Sequence, residues 1–153
     1  MNEIACRSIR DVVDFAVKRE EEARDFYADC RDKTPKDGLK SFFQELADEE
    51  ERHRGLLLDL DLSDDQEFEP EQVQNLKLSD YLVDAQFTPD ISYQDALTLA
   101  MKKEQKAHAF YDAWQKRCSN SSAGKLFAFL AGEEMKHKRK LEDIYDDDIL
   151  MWN

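Results

Sequence analysis

Two short motifs, Glu50-Glu51-Arg52-His53 and Glu134-Met135-Lys136-His137, each set a carboxylate and an imidazole three residues apart. On a helix that spacing puts both side chains on one face, so both can reach a common centre. Each motif follows another acid by 30 residues, Glu20 before Glu50 and Glu104 before Glu134. Hard carboxylate oxygens with one imidazole per metal suit iron, with manganese as the other fitting ion. Zinc would also bind but brings no redox chemistry. Two dications would cancel four carboxylate charges and leave the imidazoles as neutral ligands. One Glu from each of two helices plus Glu-x-x-His from each of two others is the inventory of a dinuclear carboxylate site. Two ferrous ions about 3.5–4 Å apart can jointly deliver two electrons to O2 or H2O2.

One Glu-x-x-His in an acidic chain proves little, but here the whole neighbourhood is repeated. AVKREEEARDFYADC (16–30) aligns with AMKKEQKAHAFYDAW (100–114), and SFFQELADEEERHRGLL (41–57) with KLFAFLAGEEMKHKRKL (125–141). A single shift of 84 residues relates them, carrying 20 to 104, 27 to 111, 50 to 134 and 53 to 137. Two copies of a helical hairpin are too few for a solenoid.

The elements that position these residues follow from helical periodicity. The first helix is expected from Ser8, capped through Asp11, to about Arg31, and a turn at 34–38 leads into a second reaching about Leu60. Ser92-x-x-Asp95 opens a third running to Cys118, and the cluster 119–122 opens a fourth ending near Tyr145. Val13, Ala16, Glu20, Ala23, Tyr27 and Cys30 form an inward stripe on the first helix, matched by Leu97, Ala100, Glu104, Ala107, Tyr111, Trp114 and Cys118 on the third. The second carries Leu39, Phe43 or Phe42, Leu46, Glu50, His53, Leu57 and Leu60. The fourth carries Ala123, Leu126 or Phe127, Leu130, Glu134, His137, Leu141 and Ile144. All four apolar stripes are interrupted midway by a carboxylate, whereas Glu21, Glu22 and Asp25 point elsewhere. Burying four carboxylates at one level is costly unless cations compensate them.

Residues 61–91 break the pattern with two of the three prolines, an acidic stretch and a helix-like patch, LKLSDYLVDA. A connection this long can run the length of a bundle. The expected architecture is all-α: one domain over 1–153, with hairpins at about 8–60 and 92–145, a crossover at 61–91 and a tail at 146–153. Phe26, Phe42, Phe110 and Phe129 flank the stripes and either complete the core or cover an interface. The apolar tail residues Ile149, Leu150, Met151 and Trp152 are expected to dock on the bundle or on a partner.

E-x-x-A-x-x-F-Y followed by L-A-x-E-E-x-x-H, each present twice, resembles the ferritin-like superfamily and most closely its rubrerythrin-type branch. The resemblance implies a four-helix bundle holding two non-haem irons. Glu50 and Glu134 would bridge them, Glu20 and Glu104 would be terminal carboxylates, and His53 and His137 terminal nitrogens. Tyr27 and Tyr111 match tyrosines that hydrogen-bond the ligands. The chain departs from the branch in having no four-cysteine rubredoxin-like site, so electrons must come from another protein or a small reductant. Ala107 stands where rubrerythrins carry an extra Glu. The symmetric six-ligand set is closer to bacterioferritin, yet Met135 lies in the wrong helix for a haem methionine, and no haem is expected. His108, whose counterpart is Arg24, reads as a helix-flank residue.

The leading expectation is a redox protein that reduces peroxide or O2, or oxidises Fe2+. An iron-storage or iron-handling protein and a metal-binding structural protein without turnover are the alternatives. Partners are expected to be Fe2+, the oxidant, an electron donor and a second copy in a homodimer.

Composition narrows the rest. With 153 residues, 41% hydrophobic and 37% charged, 4 Gly and 3 Pro, the chain suits long amphipathic helices. A net charge of −13 disfavours nucleic acid and anionic lipid as partners. No apolar run approaches the roughly 18 residues of a membrane span, and MNEIACRSIRDVV lacks the h-region of a signal peptide. The cytoplasm is therefore expected. Cys6, Cys30 and Cys118 form no C-x-x-C pair, and the last two read as core residues.

Overall fold

The computed structural model describes residues 8–63 and 88–148. Within them run four helices: α1 (Ile9–Lys33), α2 (Asp37–Leu58), α3 (Tyr93–Arg117) and α4 (Ser122–Asp148). No strand occurs among the described residues.

Local chemistry sets the helix ends. The Ser8 hydroxyl accepts from the Asp11 amide at 3.4 Å while the Asp11 carboxylate accepts from the Ser8 amide at 3.2 Å, the reciprocal pairing of a capping box. Pro35 holds Thr34 extended (φ −72°, ψ 137°), so α1 stops at Lys33, two residues beyond the periodic estimate. Ser92 accepts from the Asp95 amide at 3.0 Å and starts α3. Before α4 the chain turns through Asn120 at φ 73°, and the Ser121 hydroxyl accepts from the Gly124 amide at 3.0 Å. Gly124 is required there, because a Cβ would lie 2.0 Å from the Cys118 carbonyl oxygen. α4 then continues to Asp148, three residues past Tyr145.

α1 packs closely on α2 and α3 on α4, and the hairpins meet through α1 against α3 and α2 against α4. Tyr27 touches Glu104 while Tyr111 touches Glu20, so α1 and α3 run in opposite directions. The contacts His53–Glu134 and His137–Glu50 make α2 and α4 antiparallel in the same way.

The apolar core divides into two halves. One joins the start of α1 (Ile9 to Val17), Leu57, the end of α3 (Phe110 to Cys118) and the start of α4. The other joins Phe26, Tyr27 and Cys30 with Phe43, Leu46, Ala96 to Ala100 and Leu141. Phe43 rather than Phe42, and Phe127 rather than Leu126, take the fully buried positions. Phe26 and Phe110 complete the core, whereas Phe129 is 51% exposed. Cys30 and Cys118 are buried, as the stripes place them. Cys6, residues 64–87 of the crossover with the patch 76–85, and the tail residues 149–153 lie outside the described residues. Among those described, no helix is long and apolar enough to cross a membrane.

Candidate metal centre

Between the two apolar halves lies a charged layer. Glu20, Glu50, His53, Glu104, Glu134 and His137 are each no more than 3% exposed. They form two overlapping quartets, Glu20–Glu50–His53–Glu134 and Glu50–Glu104–Glu134–His137, whose donor atoms lie within 4.8 Å of one another. Glu50 and Glu134 belong to both. Both imidazoles turn Nδ1 inward. His53 Nδ1 is 3.0 Å from Glu134 and 3.6 Å from Glu20 and Glu50. His137 Nδ1 is 2.9 Å from Glu50, 3.5 Å from Glu104 and 4.0 Å from Glu134.

These groups fit cations. Glu20 Oε2, Glu50 Oε1, Glu104 Oε2 and His137 Nδ1 are buried close to other polar groups but without a well-aligned hydrogen bond, a state that costs about 1–3 kcal/mol per group, more when charged. Without cations only protons can offset the charge, and the titration of the cluster follows that logic. Burial alone would lower His53, but hydrogen bonds to Glu134 and Glu20 outweigh it and push it up to about 10. The same contest, with Glu104 as chief partner, takes His137 up to about 9. Burial, then the charge of Glu104, raises Glu134 to about 8, and burial beside Glu134 raises Glu50 well above the carboxylate range. Glu104 goes the other way: burial opposes ionisation, but hydrogen bonds to Glu134, His137 and Tyr27 win. Two dications would replace these protons and engage the orphaned oxygens directly.

The surrounding side chains fix the donors. Tyr27 donates its hydroxyl hydrogen to Glu104, and Tyr111 donates to Glu20 at 2.6 Å. Burial and the adjacent carboxylates hold both phenols well above their ordinary pKa, so they stay donors. His137 Nε2 bonds the Glu49 carboxylate, a contact the sequence reading missed. The doubled acids Glu49-Glu50 and Glu133-Glu134 were its visible signal. His108 lies outside the cluster, and its Nδ1 donates to the Ala131 carbonyl at 2.8 Å. Arg19 and Lys103, also unflagged by the stripes, line a cavity of about 50 Å³ that reaches Glu20, Glu50, Glu104 and Glu134. They are related by the same 84-residue shift, which could have marked them.

Four antiparallel helices around one carboxylate–imidazole layer define a ferritin-like four-helix bundle, and the cluster fits non-haem iron. The chain belongs to the rubrerythrin family, whose profile matches residues 11–145. A hypothetical protein from Pyrococcus furiosus superposes with a TM-score of 0.68 at 24% identity, over 95% of this chain and 92% of that one. A Thermotoga maritima protein described as a "putative ferritin-like diiron-carboxylate protein" superposes with a TM-score of 0.69 at 18% identity, over 94% and 97%. No curated protein matches the chain.

Proposed function

We propose that this chain is a non-haem di-iron redox protein that reduces hydrogen peroxide, or O2, or oxidises ferrous iron at the same centre. The observation that carries the reading is the pair of overlapping quartets sharing Glu50 and Glu134, set beside a cavity of about 50 Å³. When bound, the iron pair supplies Lewis acidity and two electrons, so that H2O2, two protons and two electrons give two waters.

The chain's own residues hold and orient. Glu50 and Glu134 would be the shared ligands, with Glu20 and His53 completing one position and Glu104 and His137 the other, and manganese suits the same donors. The tyrosine hydroxyls keep Glu104 and Glu20 in a single orientation. A cavity of about 50 Å³ admits a molecule the size of peroxide. Organic substrates are served by pockets of about 300–1,000 Å³, which favours a small oxidant. Electrons for turnover would come from another protein or a small reductant. We assign it to the cytoplasm, as a homodimer.

Stopped-flow mixing of the anaerobic ferrous protein with peroxide tests the reading. Oxidation much faster than that of free ferrous iron is expected, and a rate no faster than free iron removes the enzyme. Size-exclusion chromatography separates the storage alternative, since a dimer is no self-contained mineral shell.

A further inference from the structure

The cavity between α1 and α3 has a chemistry of its own. Its inner wall is the buried set Glu20, Glu50, Glu104 and Glu134, and its outer wall includes Arg19, Glu22 and Lys103. Ala23 and Ala107, three residues beyond Glu20 and Glu104, line it with single methyl groups and so leave it open. About 50 Å³ holds roughly one or two molecules of water size, each taking about 30 Å³ in the liquid.

Arg19 is bound there in an incomplete way. Its guanidinium lies 5.9 Å from the Phe15 ring centre and 5.7 Å from that of Phe110, so aromatic faces hold the cation in place. Rings accept charge but do not satisfy the N–H groups, and Nη1 is buried without a hydrogen-bond partner. Lys103, 84 residues later, repeats the arrangement across the interface, 5.3 Å from the Phe26 ring centre. Two cations therefore stand beside the carboxylate layer, with Glu22 as the acid on the same rim. Once two dications offset the four carboxylates, the charges left around the cavity are two positive and one negative.

We infer that Arg19 is the residue that positions a small inorganic monoanion in this cavity, its Nη1 donating the hydrogen bond and Lys103 adding the second positive charge. The ligand class is a two- or three-atom anion that accepts hydrogen bonds: hydroperoxide in the peroxide reaction, azide or nitrite as its stable analogues. Arg19 is a ligand-positioning residue in this assignment, and the assignment rests on the di-iron reading.

Azide is the probe. The oxidised, iron-loaded protein is titrated with azide and followed by visible absorption, with iron content measured on every sample. In Arg19→Met, which keeps the aliphatic stem over the rings, azide affinity should fall about tenfold or more while iron content stays at the parental value. Lys103→Met should weaken it less, and Arg19→Lys should recover part of the loss. Undiminished azide affinity in Arg19→Met with iron retained overturns the inference and leaves the di-iron centre standing. Absence of iron from the parent overturns both. If Arg19→Met itself loses iron, Ala107→Leu decides: filling the cavity from the facing helix should slow azide binding at least several-fold, and an unchanged rate overturns the site.

Discussion

The two hairpins carry the same ligands but fasten them differently. In the second, His137 is held at both ends, Nδ1 turned to the carboxylate layer and Nε2 bonded to Glu49 of the first hairpin. In the first, His53 has the matching inward contacts, yet Glu133, the counterpart of Glu49, pairs with Lys136 at 3.2 Å instead. The rim cation is Arg19 in one copy and Lys103 in the other. Arg24, which pairs with Glu51 at 2.7 Å, corresponds to His108, which reaches a backbone carbonyl. Duplication thus kept the donor types and their spacing, which set what binds, and let the outer contacts diverge, which sets how firmly each position is held.

The largest effect should come from the residues both quartets share. Elemental analysis of Glu50→Ala/Glu134→Ala, purified beside the parent without added metal, should find both metal ions lost where the parent holds about two per chain. Retention of metal in the variant would break the assignment of Glu50 and Glu134 as common ligands.

The next effect is a pH response of the metal-free protein. His53 and His137 bind protons more tightly folded (about 10 and 9) than unfolded (6.5), so their stabilisation is complete below pH 6.5 and is lost as pH rises through 9 and 10. Glu134, raised from 4.5 to about 8, adds a loss in the same direction at lower pH. Glu104, lowered from 4.5, acts only in acid, where its contribution disappears as pH falls. The melting temperature of the metal-free protein should therefore fall between pH 6.5 and 10, with the His137 resonances titrating before those of His53. A flat or rising profile would show that protons do not hold the layer together.

The asymmetry between Glu49 and Glu133 is tested by removing each. Glu49→Ala should weaken metal binding at one position by about 10–100-fold, and Glu133→Ala should leave both affinities near the parental value. Equal losses would erase the distinction drawn between the hairpins. Tyr27→Phe and Tyr111→Phe test what remains symmetric. Each should cost the metal-free fold about 1.5 kcal/mol in chemical denaturation, and the two should match. Arg24→Ala, on the exposed flank, should change stability by no more than about 0.5 kcal/mol.

Much of the fold was legible because its signals are local. Ser8 and Ser92 announced their helices through cap chemistry, and the stripes placed all six donors inside. What stayed hidden depends on how one hairpin is rotated against the other. Periodicity could not choose between Phe42 and Phe43, whose burial is decided by the facing helix. Nor could it show that Glu49 reaches across to α4, or that Arg19 settles over Phe110 of α3. The end of α4 lies three residues past the expected Tyr145. Asp146 to Asp148 oppose the helix dipole, yet the helix continues through them, with Asp148 accepting from the Tyr93 hydroxyl at 3.1 Å.

The reciprocal contacts of the antiparallel helices have a consequence for ancestry and engineering. Removing the 84-residue offset turns Tyr27–Glu104 and Tyr111–Glu20 into one contact written from both sides, and does the same for His53–Glu134 and His137–Glu50. Such reciprocity is the mark of an isologous interface with a two-fold axis. The axis passes through the carboxylate layer, between the two sets of donors. All six donors lie outside residues 61–91, which join the two hairpins in one chain, and a covalent link raises the effective concentration of one half for the other. Each hairpin holds half of the ligand set, so the bundle is organised internally as a covalent dimer.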